Sequence, residues 1–233
     1  MTELLACRDL TAGYGDAHAI RNVNIEVAAG EVVALLGPNG AGKTTTLLSL
    51  TGVLPIASGE VAWLGAPASG SLHQRARQGL AYVSEGRSVF QRLTVRQNLA
   101  IARDGDAERA IEVFPELRKL LGRRAGLLSG GEQQMLTLAR ALTRPTRLLV
   151  ADELSLGLAP RTVGRLLQTV RQMADGGMGV LLVEQHVNRV LDIADRVYVL
   201  RQGTIQFAGT AKEARGRMHE IRGMYLSGAP SNG

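Results

Sequence analysis

The 233-residue chain is expected to fold as an α/β domain: a core of mostly parallel strands flanked by helices, with an N-terminal antiparallel β edge and a helical sub-domain. Three observations predict this. Runs of β-type residues alternate with helical patterns along most of the chain, its opening is rich in β-type runs, and between about residues 87 and 127 the strand signal disappears.

In order, residues 4–10, 23–27 and 31–36 read as strands, the last two joined by the turn-prone Ala28-Ala29-Gly30. KTTTLLSLT then reads as a helix closed by Gly52, and residues 59–64 and 80–84 as further strands. LTVRQNLAIARD and AERAIEVFPELRKLL space Leu and Ile helically, with Pro115 breaking the second stretch. Strands resume at 147–151, 179–183 and 196–200, separated by helices at about 160–174 and 186–194, so a parallel sheet is interrupted and then continued. The closing GAPSNG reads as a frayed tail. The expected organisation is one domain over 1–233, with a core of 1–84 plus 129–233 and a mainly helical sub-domain at 85–128.

Composition narrows the function classes. Hydrophobic residues at 45% and charged residues at 21% match soluble globular chains and exclude disorder and coiled coil. The longest apolar runs, at 32–36 and 180–183, fall far short of the roughly 18 residues of a membrane span. MTELLACRDL lacks the basic and apolar regions of a secretory signal, so a cytoplasmic protein is expected. The single cysteine, Cys7, belongs to no metal-ligand cluster and is expected to pack as a small apolar residue. Net charge is +6, but the arginines are spread along the chain and aromatics make up 3%, so no nucleic-acid partner is expected.

The strongest motif is Gly37-Pro38-Asn39-Gly40-Ala41-Gly42-Lys43-Thr44, a G-x-x-x-x-G-K-[ST] run placed between a predicted strand and a predicted helix. Glycines let the backbone wrap a phosphate, the helix N-terminus adds partial positive charge, Lys43 reaches the β and γ phosphates, and Thr44 can hold Mg²⁺. A second motif, RLLVAD, ends an apolar strand at Asp152, with Glu153 next. Ligands of open α/β sheets bind at the carboxyl ends of strands, which puts Asp152 beside the phosphate loop to orient Mg²⁺ and Glu153 in place to act as general base. In the third, Leu128-Ser129-Gly130-Gly131-Glu132, Ser129 can cap a helix with apolar Met135, Leu138 and Leu142, and the glycines leave N–H groups bare for an anion.

This third run resembles the LSGGQ signature of ATP-binding-cassette (ABC) ATPases, and it stands in that family's order between the phosphate loop and Asp152-Glu153. The resemblance covers about residues 3–226 and implies a P-loop NTPase core. It implies that Tyr14 stacks on adenine, that residues Gly37 to Thr45 hold the phosphates, and that Asp152, Thr44 and Glu85 face the metal. His186 resembles the switch histidine that contacts the γ-phosphate, and Ser155-Leu-Gly-Leu158 resembles the D-loop that crosses a dimer interface. In the family two ATPase subunits close head to tail around ATP, so Ser129, Gly130, Gly131 and Glu132 are expected to serve the nucleotide bound to the partner.

Three positions depart from the family pattern. Glu85 stands where most members have Gln, Leu154 replaces the usual Pro after the catalytic Glu, and Ala159 replaces a common Asp. Glu85 in YVSEGR, with LSGGEQQM, SLGLAP and LVEQH, looks most like the importers of branched-chain amino acids. That resemblance implies an ATP- and Mg²⁺-dependent ATPase at the cytoplasmic face of the membrane. It is expected to drive permease subunits, with a second ATPase subunit as dimer partner and, indirectly, a solute-binding protein. Urea or amides are related candidate solutes, and Arg87, Arg92 and Arg96 could line the coupling groove near Glu85. Another transporter class, or a soluble ABC protein acting on DNA or ribosomes, is the alternative.

Overall fold

The computed structural model describes residues 2–86, 88–101, 107–184 and 187–226. The chain opens with a long hairpin of β1 (Glu3–Tyr14) and β2 (Ala17–Ala28), turning at Gly15, where φ is +56°. Along β2 the buried residues Ile20, Val23, Ile25 and Val27 are separated by exposed or partly exposed ones, the pattern of a strand with one face in the core. β4 (Ile56–Trp63) and β5 (Ala66–Pro67) complete a four-stranded antiparallel sheet in the order β2-β1-β4-β5. The expected β edge is therefore realised as a separate sheet, and both hairpin strands extend beyond their apolar cores.

The second sheet is built from β3 (Val32–Leu36), β6 (Leu80–Val83), β7 (Leu148–Asp152), β8 (Gly179–Val183), β9 (Arg196–Arg201) and β10 (Thr204–Thr210). Its order is β10-β9-β3-β8-β7-β6, and all pairs are parallel except β10 with β9. Every residue of β3, β7 and β8 is buried, because both faces of the sheet are covered. β3 shows how: Val33 and Leu35 face the antiparallel sheet and α1 (Lys43–Thr51), packing with Leu10, Ile20, Leu47 and Leu50. Val32, Ala34 and Leu36 face the other way, toward Val163, Leu166 and Val170 of α6 (Pro160–Asp175).

The interrupting segment contains α3 (Val95–Ala100), α4 (Ala107–Val113), two 3₁₀ turns, Pro115–Leu120 and Ala125–Leu127, and leads into α5 (Gly130–Ala141). Pro115 opens the first 3₁₀ turn, where its missing N–H costs nothing, and the preceding Phe114 is fully buried. Phe114, Leu117 and Leu99 belong to the same apolar cluster as Val32 and Val180 of the parallel sheet, one continuous core.

Several elements lie outside the sequence expectation. β10 buries Phe207 alone, so its edge position leaves little apolar signal. The helices α2 (Leu72–Arg77) and α8 (Ala211–Gly216) are too short for a helical period to register, whereas the helix expected over 186–194 is found as the shorter α7 (Val187–Leu191). The last helix, α9 (Met218–Leu226), was also not foreseen. On α5, Met135 is half-buried, while Gln134, Leu136, Thr137, Leu138 and Ala139 are the buried residues. Cys7 is buried, as expected, and donates from Sγ to the Val23 carbonyl.

Candidate active site

β3 delivers the chain into the 37–42 loop, and α1 begins at Lys43. Gly37 and Gly42 have φ of +156° and +104°, a region costly for any residue with a Cβ. Space is equally restrictive: a Cβ on Gly37 would lie 2.2 Å from the Leu200 carbonyl oxygen, and one on Gly42 2.6 Å from Ile20 Cγ2. Asn39 and Gly40 are exposed at the tip, while Ala41, Lys43 and Thr45 are buried.

Lys43 is 6% exposed, and its ammonium donates to the carbonyls of Gly37 (2.9 Å) and Pro38 (3.1 Å). Burial lowers its pKa, opposed by the nearby carboxylates of Glu153, Asp152 and Glu85. Three acidic side chains from two separate segments thus gather around the phosphate-loop lysine.

Asp152 ends β7 at 2% exposure and accepts from the Thr44 hydroxyl at 3.0 Å. Its carboxyl is pushed above the ordinary value by burial, with Glu153 and Glu85 adding repulsion, while Thr44 and Lys43 pull the other way. Glu153 leaves the strand at φ +51°, and its N–H donates to the Val183 carbonyl at 2.9 Å. Glu85 is exposed two residues beyond β6. Among the described residues, no group of three or more His, Cys, Asp or Glu forms a metal site by itself. The adjoining Thr44 hydroxyl and Asp152 carboxylate are hard oxygen donors amid excess negative charge, which fits Mg²⁺ completed by phosphate and water oxygens.

The signature residues form a second group at the head of α5. The Ser129 hydroxyl accepts from Glu132 N at 3.3 Å, and the Glu132 carboxylate accepts from Ser129 N at 2.8 Å, a closed capping box. Gly130 and Gly131 follow the cap, and a Cβ on Gly131 would lie 2.7 Å from Thr162 Cγ2 of α6. Tyr14 ends β1 with 57% exposure, leaving most of its ring open to a stacking partner. His186 and Arg87 lie outside the described residues, and Arg92 and Arg96 are exposed.

Sequence reasoning missed the residues that hold the phosphate loop from outside. Gly203, in the β9–β10 turn, donates to the Ala41 carbonyl at 3.0 Å and accepts from Arg21 N at 2.8 Å, stitching the loop to β2. The Tyr225 hydroxyl of α9 accepts from Gly37 N at 2.8 Å. Ser155 donates from N (3.0 Å) and from Oγ to the buried carboxylate of Glu184. Such pairs span 29 to 188 positions and leave no local pattern; among the residues of the last pair, Ser155 of the D-loop run and Glu184 inside LVEQH stood in view, but not their contact.

A family model described as ABC transporter matches residues 20–155. The high-affinity branched-chain amino acid transport ATP-binding protein BraG of Pseudomonas aeruginosa is 40% identical over 97% of this chain and 100% of its own length. The lipopolysaccharide export system ATP-binding protein LptB of Escherichia coli K12 is 34% identical, covering 95% of this chain and 96% of that protein. Among solved structures, the ADP conformation of MJ1267, an ATP-binding cassette of an ABC transporter, matches with a TM-score of 0.89 at 24% identity, over 97% of this chain and 99% of that one.

Proposed function

The chain belongs to the ABC transporter family, and from that membership we propose that it is the ATP-hydrolysing, energy-coupling subunit of an importer for branched-chain amino acids or a related small solute such as urea or an amide. The observation that carries the chemistry is the gathering of Glu153, Asp152 and Glu85 around Lys43, with Thr44 bonded to Asp152. The solute class rests on similarity to BraG over the whole of that protein.

In this reading Lys43 and the backbone N–H groups of 37–45 bind the phosphates of ATP, and Tyr14 stacks on the adenine. Thr44, Asp152 and Glu85 would hold Mg²⁺, which when bound neutralises phosphate charge. Glu153 takes the proton of the attacking water on its carboxylate, and His186 contacts the γ-phosphate. Ser129, Gly130, Gly131 and Glu132 serve the nucleotide of a second ATPase subunit, so that closure of the pair depends on ATP. Residues 85–128 form the sub-domain that passes this motion to permease subunits, with a solute-binding protein acting at one remove. Among the described residues no helix is long and apolar enough to cross a membrane. The motion therefore reaches solute through those separate subunits, from the cytoplasmic face of the membrane.

Light scattering of the Glu153→Gln variant tests the catalytic reading. ATP is expected to convert it from about one chain to two, with hydrolysis nearly lost. A monomer that binds ATP points to a different ATPase chain as partner, and one that cannot bind ATP overturns the reading. For the solute, replacing the chromosomal copy with Lys43→Ala should abolish uptake of labelled leucine, isoleucine or valine. Undiminished uptake of all three would refute that class, and the likeness to LptB makes export the reading to examine next.

A further inference from the structure

Glu153 sits in a left-handed backbone conformation, φ +51°, that a residue with a Cβ adopts only when its surroundings hold it there. The family's proline at the next position would restrict this turn, but here the position is Leu154, 1% exposed, whose φ is not locked by a ring. Three hydrogen bonds to the end of β8 hold it instead. Glu153 N–H donates to the Val183 carbonyl at 2.9 Å, Ser155 N–H to Glu184 Oε1 at 3.0 Å, and the Ser155 hydroxyl to Glu184 Oε2.

Glu184 is 1% exposed. A carboxylate that deep is costly unless both oxygens are bonded, and here each takes one donor of the same residue. We propose that Glu184 is a positioning residue for hydrolysis: its buried carboxylate clamps Ser155 and so fixes the turn that aims Glu153. The clamp stands in for the stiffness a proline would give, and it reaches the loop beyond, where Leu156 N donates to the Glu153 carbonyl and Leu158 N to the Ser155 carbonyl. This inference rests on Glu153 being the general base.

Four variants test it: Glu184→Met, which removes both acceptors at similar volume; Ser155→Ala, which removes one donor; their combination; and Glu184→Gln, which keeps one acceptor oxygen and can donate to the Ser155 hydroxyl. Each is assayed for kcat, ATP affinity, bound nucleotide per chain and melting temperature. Glu184→Met is expected to lower kcat at least tenfold with ATP affinity within twofold, Ser155→Ala to fall between, the double variant to be no worse than Glu184→Met, and Glu184→Gln to recover most turnover. If the methionine variant fails to bind ATP, Ser155→Ala and Glu184→Gln decide. Unchanged kcat in Ser155→Ala, or losses that only track the ATP-binding fraction, would overturn the clamp. A Glu184→Gln variant as inactive as Glu153→Gln, beside a normal Ser155→Ala, would make Glu184 itself the base. Loss of hydrolysis in Glu153→Gln is scored separately, so the clamp can fail while the ATPase reading stands.

Discussion

Tyr225 accepts the Gly37 amide proton on its phenolic oxygen at 2.8 Å, so the last helix holds the first residue of the phosphate loop. Burial pushes this phenol up to about 12, which keeps it neutral throughout the physiological range. Tyr225→Phe leaves the buried Gly37 N–H without its acceptor, at a cost of about 1–3 kcal/mol. The expected result is a melting temperature lower by several degrees and weaker ATP binding, read by calorimetry and fluorescent-nucleotide titration. Equal values for the two proteins would show that α9 does not support the loop.

Asp152→Asn should separate stability from turnover. The folded-state pKa of Asp152 is raised, so above the ordinary carboxylate value the folded protein retains a proton that the unfolded chain releases. This group's contribution is present below the unfolded pKa and is lost as pH rises through the folded one. Asparagine keeps an acceptor for Thr44 and removes the buried charge. The nucleotide-free variant is expected to melt higher than wild type at pH 7, with the gap narrowing as pH falls toward 4, while Mg²⁺-dependent hydrolysis drops at least about 100-fold. A lower melting temperature at pH 7 would contradict this electrostatic picture.

Glu85→Gln removes an exposed carboxylate at the start of the segment expected to meet the permease. ATP affinity of the isolated subunit should change by less than about threefold, whereas stimulation of hydrolysis by the assembled transporter should fall. Nucleotide titration and ATPase assays in reconstituted vesicles distinguish the two. A large affinity loss would mean that holding Mg²⁺ with the nucleotide, rather than coupling to the permease, is the main task of Glu85.

Arg75 offers a purely structural contrast. It is 4% exposed on α2, and its guanidinium donates to the carbonyls of Leu50, near the end of α1, and Ala68. The positive charge is well placed at a helix C-terminus, although burial lowers its pKa. Arg75→Met strands those carbonyls and should cost roughly 1–3 kcal/mol in urea unfolding, with kcat per folded molecule unchanged. A fall in kcat at full folding would tie α1 positioning to catalysis.

The legible part of the site is the part written in neighbouring residues. A strand, a glycine run and a lysine announce the phosphate loop, and an apolar strand ending in two carboxylates announces Asp152 and Glu153. Ser129 was legible as a helix cap for the same reason, while the return bond from Ser129 N to Glu132 that closes the capping box is a finding of the structure. Gly203, Tyr225 and the contacts of Glu184 were not, because each meets residues distant in sequence through one or two hydrogen bonds that no periodicity encodes. β10 and α2 escaped for a different reason: an edge strand with one buried side chain and a six-residue helix bury too little to imprint a pattern.

The apolar cluster joining Phe114, Leu117 and Leu99 to Val32 and Val180 gives the helical insertion no hydrophobic interior of its own. It follows that residues 85–128 cut free of the chain would not hold a fold, and that calorimetry of the intact protein should show one cooperative melting transition, with no separate early peak for the insertion. Whatever rocking this region performs during turnover must be a sliding of side chains across a shared interior, and its amplitude is bounded by how far that interior can shear without admitting water.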